Sequence, residues 1–409
     1  MILSDICEFI VDCPHSTAPD EGAGYPLIRT PNIGKGRLIL DGVHRVSEKV
    51  YEERTQRGIP QDGDLIFARE APAGNVALVT NGEKVCLGQR TVLIRPKQEE
   101  VNPEFLVYYL LSPQQQYELL GTANGATVAH VNLPVIRNLP INIPERCVQD
   151  KIANILSSFD NLIENNQKQI KLLEEAAQRL YKEWFVDLKF PGYEGTEIVD
   201  GVPEGWSRKK VVDCLEMYIG GGWGKETIVG KNTIPGKVIR GTDINDIKSG
   251  VYNDVPLRYH TENDKNKRAL KPNDIVFELS NGNIDNIGRS LLIDDLILKN
   301  CGDNTICASF CKLFRPIDRL HSLVLYLEIQ DMQSSGRMMP YKKQGSNGIN
   351  NFAFEDFLEH MLLVPDDYSI LATFEDIISK ISILQNQLSL LIQARDRLLP
   401  KLMSGEIEV

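Results

Sequence analysis

The sequence predicts a mixed α/β protein built twice. Two copies of one globular unit are each followed by a long helix, and the two helices pair as an intramolecular coiled coil. Three observations predict this. Residues 149–184 hold neither Pro nor Gly and place Leu156, Phe159, Ile163, Ile170, Leu173, Ala177, Leu180 and Trp184 at alternating spacings of three and four, interrupted by Asn166. Residues 374–402 repeat that seam through Phe374, Ile377, Ile381, Leu384, Leu388, Leu391, Leu398 and Leu402, interrupted by Arg395. The order of motifs in 1–145 then recurs in 206–368. A helix of about 36 residues spans about 54 Å and cannot bury its seam alone, so each long helix requires the other.

The globular units are read segment by segment. In the first, YPLIRTPNI (25–33) is a strand entering a polar loop. DGDLIFAREAPAGNVALV (62–79) is a turn, a buried strand, a polar loop and a second strand, and LGQRTVLIRP (87–96) is a third. Residues 103–121 read as one helix closed by Gly121. The stretch 121–144 is rich in Gly, Thr and Asn and reads as a loop kept extended by Pro134, Pro140 and Pro144. The first long helix follows, then a linker of Pro, Gly and acidic residues.

In the second copy, VIRGTDI (238–244) stands for LIRTPNI, and 273–293 for GDLIFAREAPAGNVALV. NTICASFCKLFRP (304–316) stands for GQRTVLIRP, 320–336 for the helix, and 342–367 for the Gly-polar loop. A single repeat of more than 200 residues is a domain duplication, not a solenoid. The expected boundaries are 1–147 and 206–368 for the globular units, 148–186 and 369–404 for the helices, and 187–205 for the linker.

Composition narrows the function classes. A chain of 409 residues has room for two or three domains, and its 42% apolar and 25% charged residues are those of a globular protein. No apolar run approaches the ~18 residues of a membrane span, and the N-terminus lacks the pattern of a signal peptide, so a cytoplasmic protein without membrane contact is expected. Eight cysteines without a CxxC pair suggest neither a disulfide framework nor a metal site. CASFCKLF (307–314) reads as one alternating strand with core cysteines. The net charge of −11 opposes nucleic-acid binding when taken as one number, but residues 201–350 carry 21 Lys and Arg against 18 Asp and Glu. Screening over ~8–10 Å lets an acidic protein present a locally basic surface.

No catalytic centre is expected. The NPPY tetrapeptide of adenine methyltransferases, a Walker loop, HExxH and a nuclease carboxylate–lysine cluster are all missing. GGGWGK (220–225) fails as a phosphate loop, because Ile219 stands where the motif needs Gly and Glu226 where it needs Ser or Thr.

The ordered set IRTPNI, GDLIFAREAPAGNVAL and GATVAHVNLPVIRNLPINIP, feeding the first long helix, resembles the specificity subunit of Type I restriction–modification systems. IRGTDI, NDIVFELSNGNIDNIG and the QGSNGINNFAFEDF run, feeding the second helix, repeat that resemblance. It covers nearly the whole chain. It implies two target recognition domains, each reading one half of a bipartite, asymmetric DNA site, held apart by antiparallel helices. It implies two methyltransferase subunits and restriction motor-nuclease subunits as partners in a bacterial or archaeal cell. It also implies that S-adenosylmethionine, ATP and Mg are used by those partners, while this subunit binds no cofactor. The competing reading is a coiled-coil adaptor without DNA specificity.

With that role in view, polar Gly-containing loops are the places for base contact: Gly125, Thr127, His130, Gly345, Ser346, Asn347 and Asn350. Arg suits guanine, and Asn or Gln suits adenine, which selects Arg69, Gln89, Arg90, Asn281, Asn283 and Asn347. Arg29 and Arg240 occupy the same place in both copies, so phosphate or structural roles suit them better, with Thr30 and Asn32 beside the first. Lys342 and Lys343 read as phosphate contacts, and Trp223 as an aromatic contact. If the helices pair about their midpoints, Asn166 approaches Arg395, and the two polar seam residues mark the register.

Overall fold

The computed structural model describes residues 1–80, 82–121, 130–345 and 348–409. It contains two compact units, one of Met1–Leu162 with Ile392–Val409, the other of Ile163–Leu391.

In the first unit a five-stranded sheet has the spatial order Cys7–Asp12, Thr91–Pro96, Leu65–Ala68, Val76–Leu78, Gly36–Arg37. A smaller sheet sets Tyr25–Ile28 between Arg45–Val46, antiparallel, and Cys86–Leu87, parallel. Leu65, Ile66, Phe67 and Ala68 are all fully buried, which is why this strand reads as a continuous apolar run and does not alternate.

The second unit rebuilds this plan. Its four-stranded sheet runs Leu215–Gly220, Cys311–Pro316, Ile275–Glu278, Ser290–Leu292, and its smaller sheet sets Ile234–Ile239 between Leu257–His260 and Ile306–Cys307. The strand that opens the order of each large sheet carries a bulge at the same place, Cys7/Phe9 and Leu215/Met217.

The copies agree down to single bonds. Arg95 clamps Asp64 through Nε and Nη2 at 2.8 and 2.7 Å, and Arg315 clamps Asp274 through the same atoms at the same distances. Each carboxylate also accepts a backbone N–H three residues upstream, from Gln61 and from Lys271. The residue before each Asp has positive φ, +87° at Gly63 and +75° at Asn273. Asn replaces Gly there because Asn tolerates the left-handed region better than other side chains do.

Three local expectations are corrected. Residues 103–121 form two helices, Pro103–Leu111 and Pro113–Gly121, because Pro113 forces Ser112 out of the helical region to ψ 147°. Pro134 does not keep its stretch extended; it sits in the first turn of a short helix, Leu133–Arg137, where its missing N–H costs nothing. CASFCKLF is two strands broken by a turn at Ser309 and Phe310, because it mirrors the turn at Gln89 and Arg90.

The long helices are Arg146–Tyr181 and Ala372–Ser404. The first continues into a π-helical turn, Lys182–Val186, that sets Trp184 edge-on to Phe374 at 5.3 Å and Phe185 on Trp206 at 5.0 Å. In the second unit Ile163, Ile170 and Ala177 are buried, as are Leu384 and Leu388. Later residues of one helix meet earlier residues of the other, so the pairing is antiparallel. In the first unit Ile152, Leu156 and Leu402 share one core with Phe105 and Leu106.

The two polar seam residues do not meet, contrary to the sequence expectation. Asn166 donates to Gln387 Oε1 at 3.2 Å, while Arg395 donates to Asp160 Oδ1 at 2.8 Å, and Asp160 also accepts from the Tyr108 hydroxyl at 2.6 Å. A guanidinium in a seam is better satisfied by a carboxylate than by an amide, which separates the pair. Asn166 is 6% exposed and Gln387 is exposed, so water can replace the amide for Gln387. Asn166→Leu is therefore expected to raise the melting temperature by about 2–4 °C, read by calorimetry. A lowered melting temperature would show that the amide pair stabilises the helices.

Candidate nucleic-acid interface

The first unit gathers four of the expected contact residues around one turn. Gln89 and Arg90 form the tip between strands Cys86–Leu87 and Thr91–Pro96. Gly88 precedes them because a Cβ there would lie 2.8 Å from the Ile28 carbonyl oxygen. Arg90 has φ +66°, a strained conformation for a side chain of its size, and its carbonyl is held by the Arg69 N–H at 2.9 Å. Its guanidinium points outward, 59% exposed, with Nη1 on Glu70 Oε2 at 2.8 Å.

Arg69 lies beneath it, 9% exposed, and is spent on the protein itself. Nε donates to the Val131 carbonyl at 2.9 Å, Nη1 to Asp12 at 2.7 Å, and Nη2 sits 2.8 Å from His130 Nε2. For that last bond to form, His130 Nε2 accepts, so Nδ1 carries the proton and donates to Glu70. Gln89 Nε2 donates to the His15 carbonyl at 2.5 Å, and His15 is 72% exposed. One network thus runs Asp12, Arg69, His130, Glu70, Arg90. It leaves Arg90 and His15 outward and makes Arg69 and His130 their support.

Arg29, Thr30 and Asn32 form a turn after Tyr25–Ile28. Asn32 accepts from the Arg29 N–H and donates to the Ile39 carbonyl, both at 3.2 Å, and Thr30 and Asn32 are buried. Arg240 stands in the equivalent turn, with its N–H on Asp243 at 2.8 Å and its guanidinium on Asp243 and the Asp254 carbonyl. These residues build the turn.

In the second unit, Ser280–Asn281, Asn350–Phe352 and Lys342–Lys343 form a three-stranded sheet that brings four expected residues together. Asn281 donates to Glu278 at 2.8 Å and accepts from the Asn283 N–H. Asn350 donates to the Gly282 carbonyl at 2.9 Å, and Lys342 to the Asp285 carbonyl at 3.3 Å. Asn283 caps the turn Ile284–Asn286. Partial burial lowers the pKa of Lys342, while Lys343 pairs with Asp356 at 3.3 Å on the surface. Trp223 is 41% exposed, under the Arg258 guanidinium at 4.8 Å. Gly125, Thr127, Ser346 and Asn347 lie outside the described residues.

Sequence reasoning passed over several residues. Glu278, 2% exposed, takes Arg289 Nε at 2.8 Å as well as Asn281, and a Cβ at Gly241 would strike its carboxylate. Lys312 Nζ lies 3.2 Å from the centre of the Phe354 ring, and burial lowers its pKa. Phe310, 60% exposed, occupies the turn position of Arg90. That last equivalence was readable from LGQRTVLIRP set against CASFCKLFRP.

Among the described residues no His, Cys, Asp and Glu cluster could hold a metal. Burial pushes the thiols of Cys7 and Cys307 up to about 12 and those of Cys86 and Cys301 up to about 11, so they stay protonated in the core. No helix among the described residues is long and apolar enough to cross a membrane.

Comparison with known proteins bears on what this geometry serves. Residues 1–175 match the family described as the Type I restriction modification DNA specificity domain. The chain is 27% identical over 411 residues to the Type I restriction enzyme MjaIX specificity subunit of Methanocaldococcus jannaschii, covering 95% of this chain and 88% of that one. It is 28% identical over 144 residues to the Type I restriction enzyme HindI specificity subunit of Haemophilus influenzae, covering 34% of this chain and 31% of that one. Its fold is similar to the crystal structure of a Type I restriction–modification S subunit from M. genitalium, with a TM-score of 0.55 and 15% identity over 98% of this chain and 95% of that one.

Proposed function

We infer that the chain is a Type I restriction–modification specificity subunit and selects the DNA sequence on which such a complex acts. Each globular unit reads one half of a bipartite, asymmetric site. The observation that carries this reading is the duplication itself: one backbone plan occurs twice, and its outward loops carry different side chains. A pair of unlike readers suits an asymmetric two-part sequence with an unread gap, whereas identical readers would suit a palindrome.

The roles divide by what each side chain already holds. Arg90 is outward, and an arginine fork matches the O6 and N7 edge of guanine. Lys343 and Trp223 are exposed and suit backbone and base-face contact. Asn281, Asn283 and Asn350 present amides beside Lys342 at the edge of a small sheet. Asn32, Arg69, His130 and Arg240 hold the loops in place, and Arg29 and Thr30 belong to the turn that Asn32 ties.

The long helices act as the spacer and as the docking surface for two methyltransferase subunits, which motor-nuclease subunits join. Successive half-sites on one face of B-DNA lie about 34–36 Å apart, within the ~54 Å reach of a helix of about 36 residues. Chemistry belongs to the partners, which bring S-adenosylmethionine, ATP and Mg; this subunit contributes address and geometry.

Mapping methylated adenines in cells that carry this subunit with its modification partner tests the reading. A single bipartite motif with a constant gap is the expected result. A continuous motif would mean that one unit does not read. If the purified complex instead binds all duplexes equally weakly and without salt sensitivity, the adaptor reading replaces this one.

A further inference from the structure

We propose that Arg90 and Phe310 are the paired positions that make the two units read different bases, and that Phe310 reads a thymine through its C5 methyl group. The inference rests on the specificity reading above and deepens it.

The two residues stand on one scaffold. The Arg69 N–H donates to the Arg90 carbonyl at 2.9 Å, and the Leu279 N–H donates to the Phe310 carbonyl at 2.9 Å. Two residues earlier, Gly88 N–H bonds Ile28 and Ala308 N–H bonds Ile239, each at 2.8 Å. One residue later, the Thr91 carbonyl takes Cys13 N–H at 3.1 Å, and the Cys311 carbonyl takes Gly221 N–H at 3.0 Å. The same backbone bonds therefore hold both tips at equivalent places, while the turns themselves differ, since Arg90 has φ +66° and Phe310 keeps a negative-φ backbone.

What the tips carry differs in chemistry. Arg90 is 59% exposed and Phe310 60% exposed. The loop bonded one residue past each tip also differs: His15, whose carbonyl takes Gln89 Nε2, lies two residues after Cys13, and Trp223, stacked under Arg258, lies two residues after Gly221. Gly221 is needed there, since a Cβ on it would meet the Ala308 and Cys307 carbonyl oxygens at 2.1 and 2.3 Å. The tip of the first reader thus carries a guanidinium and that of the second an exposed phenyl ring. The buried face of the second unit is already filled by Phe277, Phe314 and Phe357, so an exposed Phe310 is not part of that core.

In the major groove a guanidinium fork suits guanine, and an apolar side chain suits the methyl group that only thymine carries. Placing a phenyl ring against that methyl removes both from water without requiring a hydrogen bond. An unlike base would lose this gain and bury its own polar edge against the ring.

The test uses the complex with its modification partner and the site defined by methylation mapping. Duplexes are made in which each thymine in turn is replaced by uracil, which lacks only the methyl group. For the wild type, uracil at one position of one half-site is expected to weaken binding about fourfold, the equivalent of one buried methylene. Phe310→Ala is expected to weaken binding to the thymine duplex by at least that factor and to remove the thymine–uracil difference at that position only. Arg90→Ala should keep the difference and relax a guanine in the other half. Phe310→Leu, an apolar replacement, should retain part of it.

A Phe310→Ala complex that still distinguishes thymine from uracil everywhere would overturn the proposal. So would a half-site without thymine. So would a Phe310→Ala complex that binds weakly while the wild type ignores uracil, because the ring would then be a wedge between base steps. Wild-type binding without any sequence preference would instead remove the specificity reading itself.

Discussion

Glu328→Ala is expected to destabilise the second unit by about 3–5 kcal/mol, the cost of leaving buried partners of a charge uncompensated. Glu328 is 6% exposed, on the helix Arg319–Ser335. It receives the Tyr181 hydroxyl at 2.7 Å, Arg337 at 2.9 and 3.1 Å, and His360 Nε2 at 2.8 Å. Tyr181 ends the first long helix and His360 precedes the strand Met361–Pro365, so one carboxylate ties spacer, domain helix and sheet together. Chemical denaturation followed by circular dichroism reads the loss. A change under 1 kcal/mol would show that the cluster contributes little net energy.

The same group sets a pH dependence. Burial alone would raise its pKa, but hydrogen bonds from His360, Arg337 and Tyr181 and the charge of Arg337 outweigh burial and hold it at about 2, against 4.5 for a free Glu. A carboxylate with a lowered folded pKa contributes stability above its unfolded pKa and loses it as pH falls. The window therefore opens near pH 4.5 and closes near pH 2, with about 3 kcal/mol at stake. Unfolding midpoints measured from pH 6 down to pH 2 should fall through this range in the wild type and more shallowly in Glu328→Ala. Parallel slopes would place the titration elsewhere.

The second expected result separates two arginines that the sequence treats alike. Arg69→Ala should cost about 3–5 kcal/mol, because Asp12 loses its charge partner and the Val131 carbonyl its donor. Site-specific methylation should fall with it, since the turn bearing Arg90 hangs on the same network. Arg90→Ala should change stability by no more than about 0.5 kcal/mol, as an exposed substitution does. It should still lose about 1–3 kcal/mol of discrimination at one base pair. Thermal unfolding together with binding to a panel of single-base variants reads both. If Arg90→Ala keeps full discrimination at every position, Arg90 does not read a base.

Much of the fold was legible in the chain. Seams with 3–4 spacing from Leu156 to Trp184 and from Phe374 to Leu402 demand a long partner, and the recurrence of IRTPNI as IRGTDI exposes the duplication. These signals are local or repeat in order, and burial of an apolar stripe does not depend on where else the chain goes. The breaks at Ser112 and at Ser309–Phe310 were harder. The first depended on the weight given to one proline, the second on a turn signalled only by Ser309, with neither Gly, Pro, Asn nor Asp beside it.

Of the candidate site, residue types were legible and roles were not. Arg69 and Arg90 are equally plausible guanine readers as letters. Only tertiary structure spends one on Asp12, Val131 and His130 and leaves the other outward. Asn166 and Arg395 are likewise two polar interruptions in matched seams, and their partners, Gln387 and Asp160, follow from side-chain reach across the helix pair. The sequence by itself determined two units of one plan, two helices that need each other, and a resemblance to one family. Tertiary structure decided which polar side chains are consumed inside and which remain exposed, because hydrogen-bond satisfaction is a property of distant residues brought within 3 Å and leaves no pattern along the chain.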